Sequence, residues 1–129
     1  MKFESLDFLY MPSRDPAAEL EWFETALGAQ VAFAIEAFGT RVAMLRPVEG
    51  PALLLAGHLE GERPVLVFRV ASLDAAVTEL EAAGVAVSPE FGIPHGPVRE
   101  IEARGGHRIA IYELTRPETG ERLEGRRDF

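Results

Sequence analysis

Apolar and polar positions along the 129-residue chain fall into two runs of the same order. Residues 3–11, FESLDFLYM, are aromatic and apolar and stop at Pro12, which predicts a strand. In the SRDPAAELEWFETALG that follows, Asp15 is a good N-cap, Pro16 fits the first helical turn and Gly28 suits the stop. Leu20, Phe23 and Leu27 recur at helical spacing, so their face is expected in the core. Strand-like runs come next at 30–37, 40–46 and 52–57, separated by FGT and PVEGP.

From Pro64 the pattern restarts. PVLVFRV reads as a strand and Ser72 as an N-cap; LDAAVTELEAA puts Val77 and Leu80 on one face, and Gly84 closes the helix. VAV at 85–87 and, beyond a Pro/Gly-rich loop at 89–97, VREIEA and HRIAIYEL supply three more strands. Each half therefore reads strand, helix, strand, strand, strand, with a period near 60 residues. The expected class is α+β: two βαβββ units forming a curved mixed sheet around a trough, helices on the outer face. One domain would span 1–114, unit one about 1–60 and unit two about 61–114, followed by a charged C-terminal tail at 115–129. A four-stranded sheet with one helix leaves its other face in need of cover, and two such faces can share a ligand trough.

Composition narrows the function classes. A formal charge of −8 repels phosphate backbones, and the thirteen basic residues have no dense run beyond Arg126-Arg127, so nucleic acid is not an expected partner. No apolar run is long enough for a membrane span and MKFESLD lacks the apolar middle of a signal peptide, so a cytoplasmic protein without a membrane partner is expected. Zero cysteines remove disulfides, thiolate metal sites and thiol nucleophiles. One lysine against twelve arginines and no asparagine fits coding bias in a GC-rich genome.

The paired βαβββ order, the stretch DPAAELEWFETALGAQV and the closing GGHRIAIYEL resemble the glyoxalase, bleomycin-resistance and extradiol-dioxygenase superfamily, also called vicinal oxygen chelate, over about residues 3–115. The resemblance implies a trough in which metal-dependent members place one ligand each on the first, fourth, fifth and eighth strands. Carried onto this chain, those positions fall on Phe8, Leu54, Val65 and Ala110. Divalent cations need oxygen or imidazole nitrogen donors, which hydrocarbon side chains lack, so no metal and no cofactor is expected.

Period-two alternation fills in the rest of that face. Ile109 and Ile111 should meet the helices, leaving Arg108, Ala110 and Tyr112 inward; Leu66, Phe68 and Val70 should meet the second helix, leaving Val65, Val67 and Arg69 inward. Phe8 and Tyr10 look inward from the first strand, with Glu100 and Glu102 at the trough or its rim. His95, in FGIPHGP, belongs to a loop placed to cover the mouth. The binding set is thus Phe8, Tyr10, Leu54, Val65, Val67, Arg69, His95, Glu102, Arg108, Ala110 and Tyr112, with no catalytic residue assigned.

Such a lining suits a small, partly apolar or aromatic molecule, and the net acidity favours a neutral or cationic one such as an antibiotic. A metal-independent binder is the leading expectation, with drug sequestration in the manner of bleomycin resistance as one version of it, and whether the protein catalyses a reaction is left open, with the balance toward binding alone. Two alternatives stay open: a glyoxalase- or dioxygenase-type metalloenzyme using displaced ligands such as His58, His95 and Glu102, or a non-catalytic interaction module with the trough filled. Arg69 with Glu102 and Arg108 with Glu100 are equally candidates for structural ion pairs. Resemblance implies a homodimer, and Phe129 is the tail's candidate anchor on a second subunit.

Overall fold

A computed structural model describes residues 1–37 and 39–129. The strands are β1 (Ser5–Pro12), β2 (Gln30–Ala37), β3 (Thr40–Arg46), β4 (Ala52–Ala56), β5 (Val65–Arg69), β6 (Phe91–Ile93), β7 (Gly96–Glu102) and β8 (Arg108–Tyr112). The helices are α1 (Pro16–Leu27), α2 (Leu73–Ala82) and the short α3 (Thr119–Leu123). The fold is the expected α+β type, a mixed sheet of eight strands in the order β2-β3-β4-β1-β5-β8-β7-β6. Contacts divide the chain into two compact units, one of Met1–Asp7 with Val65–Gly120 and one of Phe8–Pro64 with Glu121–Phe129, so the boundary falls within β1.

In the unit that holds α1, β1 runs parallel to β4, and β4, β3 and β2 follow as antiparallel neighbours. A parallel pair needs a long crossover, which α1 and the β2–β3 hairpin supply. Asp15 accepts from the Ala18 amide at 3.1 Å, and Gly28, at φ 66°, ends the helix in the left-handed conformation that costs glycine least. Leu20 and Phe23 pack against Met11, Leu53, Leu55, Ala43, Leu45 and Ala34, the strand positions on one face. Leu27 continues the same helical stripe, yet it is 59% exposed, because the packed cluster reaches only as far along α1 as Phe23.

The segment predicted as a charged tail is tied down. Gly125 donates to the Ala32 carbonyl at 2.7 Å, Ala34 to Arg126 at 2.8 Å and Asp128 to Ala34 at 2.6 Å, so residues 125–128 run along the outer edge of β2. Phe129 packs against the α1 cluster with the Arg41 guanidinium 5.2 Å above its ring. Its anchor is this unit's own core. Charge marked these residues as a tail, but an edge strand offers backbone donors and acceptors that any segment can take up.

In the other unit β5 runs parallel to β8, and β8 and β7 pair antiparallel with β6 beyond. Ser72 caps α2 through the Ala75 amide at 3.2 Å. Leu73, Ala76, Val77 and Leu80 pack on Phe68, Val70, Ile101 and Ile111, the face expected for them. The outermost strand differs from expectation: residues 85–87 make only the single bridge of Val87 to Ile101, and the regular strand is β6, inside the stretch predicted as a loop. Pro89 lacks an N–H and interrupts the edge, while Gly92 and Gly96 gave a strand and its hairpin the composition of a loop.

Gly96 is required by close approach, since a Cβ there would collide with the Glu113 carbonyl oxygen, whereas one at Gly92 would meet nothing within 4 Å. Gly96→Ala should cost about 2 kcal/mol or more by overpacking. Gly92→Ala should stay within about 0.5 kcal/mol. Urea unfolding of both variants checks the pair, and equal midpoints would refute the close approach.

Candidate functional site

In the α1 unit, the face of the sheet away from the helix carries Phe8 and Tyr10. Register sets Tyr10 beside Leu54, Leu54 beside Met44 and Met44 beside Phe33, a cross-strand row of buried apolar groups. The Phe8 and Tyr10 rings meet edge to face, centroids 6.2 Å apart at 79°. Burial pushes the Tyr10 phenol well above its ordinary value, since the phenolate would be charged in an apolar place. Tyr10 is therefore a neutral group throughout the physiological range.

In the other unit, Val67 lies beside Ala110 and Ala110 beside Glu100, while the next row is Arg69, Tyr112, Val98 and Phe91. Val65, Val67, Ala110 and Tyr112 are all buried. Arg108 and Glu100 form the expected pair, with 3.6 Å between Nη2 and Oε1. Arg69 instead lies near Asp7 and Glu4, its Nε 3.6 Å and 3.8 Å from their carboxylates. Asp7 also accepts from the Ser5 hydroxyl at 2.6 Å and from the Tyr112 hydroxyl. Sequence reasoning missed Asp7, whose one available signal was the Ser-x-Asp spacing of a strand face.

His95 is buried in the turn joining β6 to β7. That turn is clamped: the His95 carbonyl accepts from the Thr115 and Arg116 amides at 3.1 and 3.0 Å, and Pro94 O accepts from Arg116 Nε at 2.7 Å and Thr119 Oγ1 at 3.0 Å. Glu102 is exposed at the end of β7, across from Arg108. His58 is exposed in the α1 unit, 3.3 Å from Thr40 Oγ1, and His107 is exposed in the other. Among the described residues no three or more His, Cys, Asp or Glu side chains group so as to hold a metal ion, so His58, His95 and Glu102 do not make a ligand set.

The α1 unit also has a cleft of about 620 Å³ between the end of β1, the start of α1 and residues 57–62. Buried Ser13 donates to Glu19 there, with Arg14, Glu60 and Glu62 around it. Sequence reasoning passed over this cleft because loop carboxylates carry no pattern.

Residues 5–111 match the family described as the Glyoxalase/Bleomycin resistance protein/Dioxygenase superfamily. The chain belongs to that superfamily. Among solved structures it is similar to methylmalonyl-CoA epimerase from Mycobacterium tuberculosis, at 21% identity over 88% of this chain and 90% of that one, TM-score 0.72. A methylmalonyl-CoA epimerase in complex with methylmalonyl-CoA and NH4+ gives 18% identity, 95% and 99% coverage and TM-score 0.71. A hypothetical protein from Bacillus halodurans C-125 gives 16%, 86% and 94% coverage, and 0.73. At these identities the likeness shows the fold. No curated protein matches significantly.

The superfamily's metal-dependent members set the question of fit. The resemblance assigns the corresponding positions to Phe8 and Leu54 in the α1 unit and to Val65 and Ala110 in the other. Register makes the placements equivalent, because Leu54 pairs with Tyr10, two residues past Phe8, and Ala110 with Val67, two past Val65. None of the four offers a nitrogen or oxygen donor, so these residues do not fit a divalent ion.

The Tyr10 shift gives a pH signature. The folded state holds the phenolic proton more tightly than the unfolded chain, whose tyrosines ionise near ~10. Stability should thus be unaffected by Tyr10 below that value and fall as pH rises above it, and Tyr10→Phe should flatten this alkaline loss. Urea unfolding from pH 8 to about 11.5 measures it, and parallel curves for the two proteins would contradict the burial argument.

Proposed function

We propose that this superfamily member binds a small, partly apolar or aromatic molecule on the helix-free faces of its sheet, without a metal ion. The observation that carries the reading is the hydrocarbon character of Phe8, Leu54, Val65 and Ala110 where metal-dependent members place donors. Binding surfaces for such molecules are largely apolar with a few placed polar groups. The helix-free face of the α1 unit offers Phe8, Tyr10 and Leu54, and the helix-free face of the other unit, taken by itself, offers Val65, Val67, Ala110 and Tyr112. Arg69, Arg108 and Glu102 supply charge at the margins, and His95 belongs to the contact set through the turn that holds it.

The charge of −8 favours a neutral or cationic ligand over an anionic one, which supports sequestration of a drug-like molecule. The complex of a neighbouring epimerase with methylmalonyl-CoA supports small-molecule binding by this fold, and the acidic surface here counts against an anionic CoA ester. A homodimer in the cytoplasm completes the reading, supported by superfamily resemblance.

Ala110 tests it. Ala110→Trp puts an indole where the smallest inward side chain stands, and should weaken binding of a cationic aromatic drug at least tenfold, equivalent to about 1.4 kcal/mol. Because Ala110 is fully buried, tryptophan is expected to overpack its neighbours, so Ala110→Val, with its fold checked by circular dichroism, is the milder variant on which the comparison rests. Calorimetry across a panel of cationic and aromatic drugs measures the effect. Absence of saturable binding by the unsubstituted protein, or a stoichiometric metal surviving dialysis, would overturn the proposal.

A further inference from the structure

The segment Gly125–Phe129 lies on the α1 unit in the manner of a bound peptide. Its backbone exchanges bonds with Ala32 and Ala34, and the Glu36 amide donates to the Asp128 carboxylate at 2.8 Å. Side chains divide by alternation: Arg127 reaches Glu24 on α1 at 3.1 Å, and Phe129 enters the apolar cluster beneath Arg41. Arg126 binds Asp128 at 2.9 Å and, with the Glu36 amide, holds its carboxyl below the usual range. Main-chain bonds that give affinity and alternate side chains that give selectivity are the two parts of strand-addition recognition.

The receiving surface belongs to other elements. Glu24 lies on α1, Ala32, Ala34 and Glu36 on β2, and Arg41 on β3. β2 bulges between Val31 and Phe33, and the carbonyl of Ala32 inside that bulge takes the Gly125 amide. Of residues 121–129 only Leu123 and Phe129 are partly buried, the rest being exposed. The segment is held by a few polar bonds and one aromatic ring, which makes it exchangeable.

We propose that the groove between α1 and the outer edge of β2 is a strand-addition site for the Gly-Arg-Arg-Asp-Phe sequence, filled in cis by residues 125–129 and open to the same segment of a second copy of this chain. A tethered segment has an effective concentration on the order of millimolar, so the cis form prevails until the latch is weakened or the protein is concentrated. The claim is independent of any ligand on the sheet faces.

The test uses the full chain carrying Asp128→Ala and Phe129→Ala, with a labelled, amidated peptide of residues 123–129. Fluorescence anisotropy should show saturable binding by the variant and at least tenfold weaker binding by the unsubstituted chain. A peptide with Phe129→Ala should also bind at least tenfold more weakly, as should the variant after Glu24→Arg. No binding by the folded variant up to about 1 mM, or equal binding of a scrambled peptide, overturns the site. Should the double variant not fold, Asp128→Ala alone should show faster hydrogen exchange at Ala34 and Glu36, slowed again by the peptide; exchange that the peptide leaves unchanged also overturns it. Sedimentation of the variant mixed with unsubstituted chain should reveal a heterocomplex near millimolar concentration, and its absence overturns the second-copy assignment.

Discussion

The structure depends on two strands that each bury both faces. β1 sends Met11 toward the α1 cluster and Phe8 and Tyr10 the other way, and β5 sends Phe68 toward the α2 cluster and Val65 and Val67 the other way. Each is the start of a βαβββ unit, and each pairs in parallel with the last strand of its own unit. A one-residue slip in either would turn hydrocarbon toward solvent on one side and expose the helix on the other, so register is fixed from both faces at once. That constraint gives Phe8, Leu54, Val65 and Ala110 definite places on the faces away from the helices.

The chemistry follows from what those side chains lack. A carboxylate or imidazole at Ala110 or Leu54 would be charged or strongly polar among neighbours such as Val67, Tyr10 and Met44, and it would need a partner to remain there. With hydrocarbon instead, the polar groups withdraw to the ends of the rows. Asp7 gathers Ser5, Tyr112 and Arg69, and Arg108 meets Glu100. The neutral phenol of Tyr10 is the exception, and burial keeps it protonated.

How much of this was legible follows from where the information lies. The helices and the inward set on β1, β5 and β8 could be read because caps, helical spacing and alternation are local patterns. The partner of Arg69 could not, because alternation offered it Glu102, whereas the carboxylates beside it are Asp7 and Glu4, from the start of the chain. β6 was hidden by its own composition: three residues with a central glycine have no period to detect, and the pairing comes from β7. Leu27 shows the reverse error, a correct helical stripe running past the end of the core that should cover it.

The segment 125–129 joins these lines of argument. β2 buries Ala32, Phe33 and Ala34 in succession, which an alternating edge strand with one wet face would not do. The bulge at Ala32 breaks the alternation, the α1 cluster takes Ala34 and Phe33 lies beside Met44 on the other face, while the further segment covers the backbone edge. An uncovered edge of this kind would present unpaired backbone groups beside an apolar patch, a template for joining other chains. The arginines and aspartate that made the segment look solvated are the groups that hold it: Arg127 on Glu24, and Asp128 on the Glu36 amide. Charge content alone therefore misjudges a segment whose backbone has a partner, because the main-chain bonds that dock it are invisible to any count of side chains.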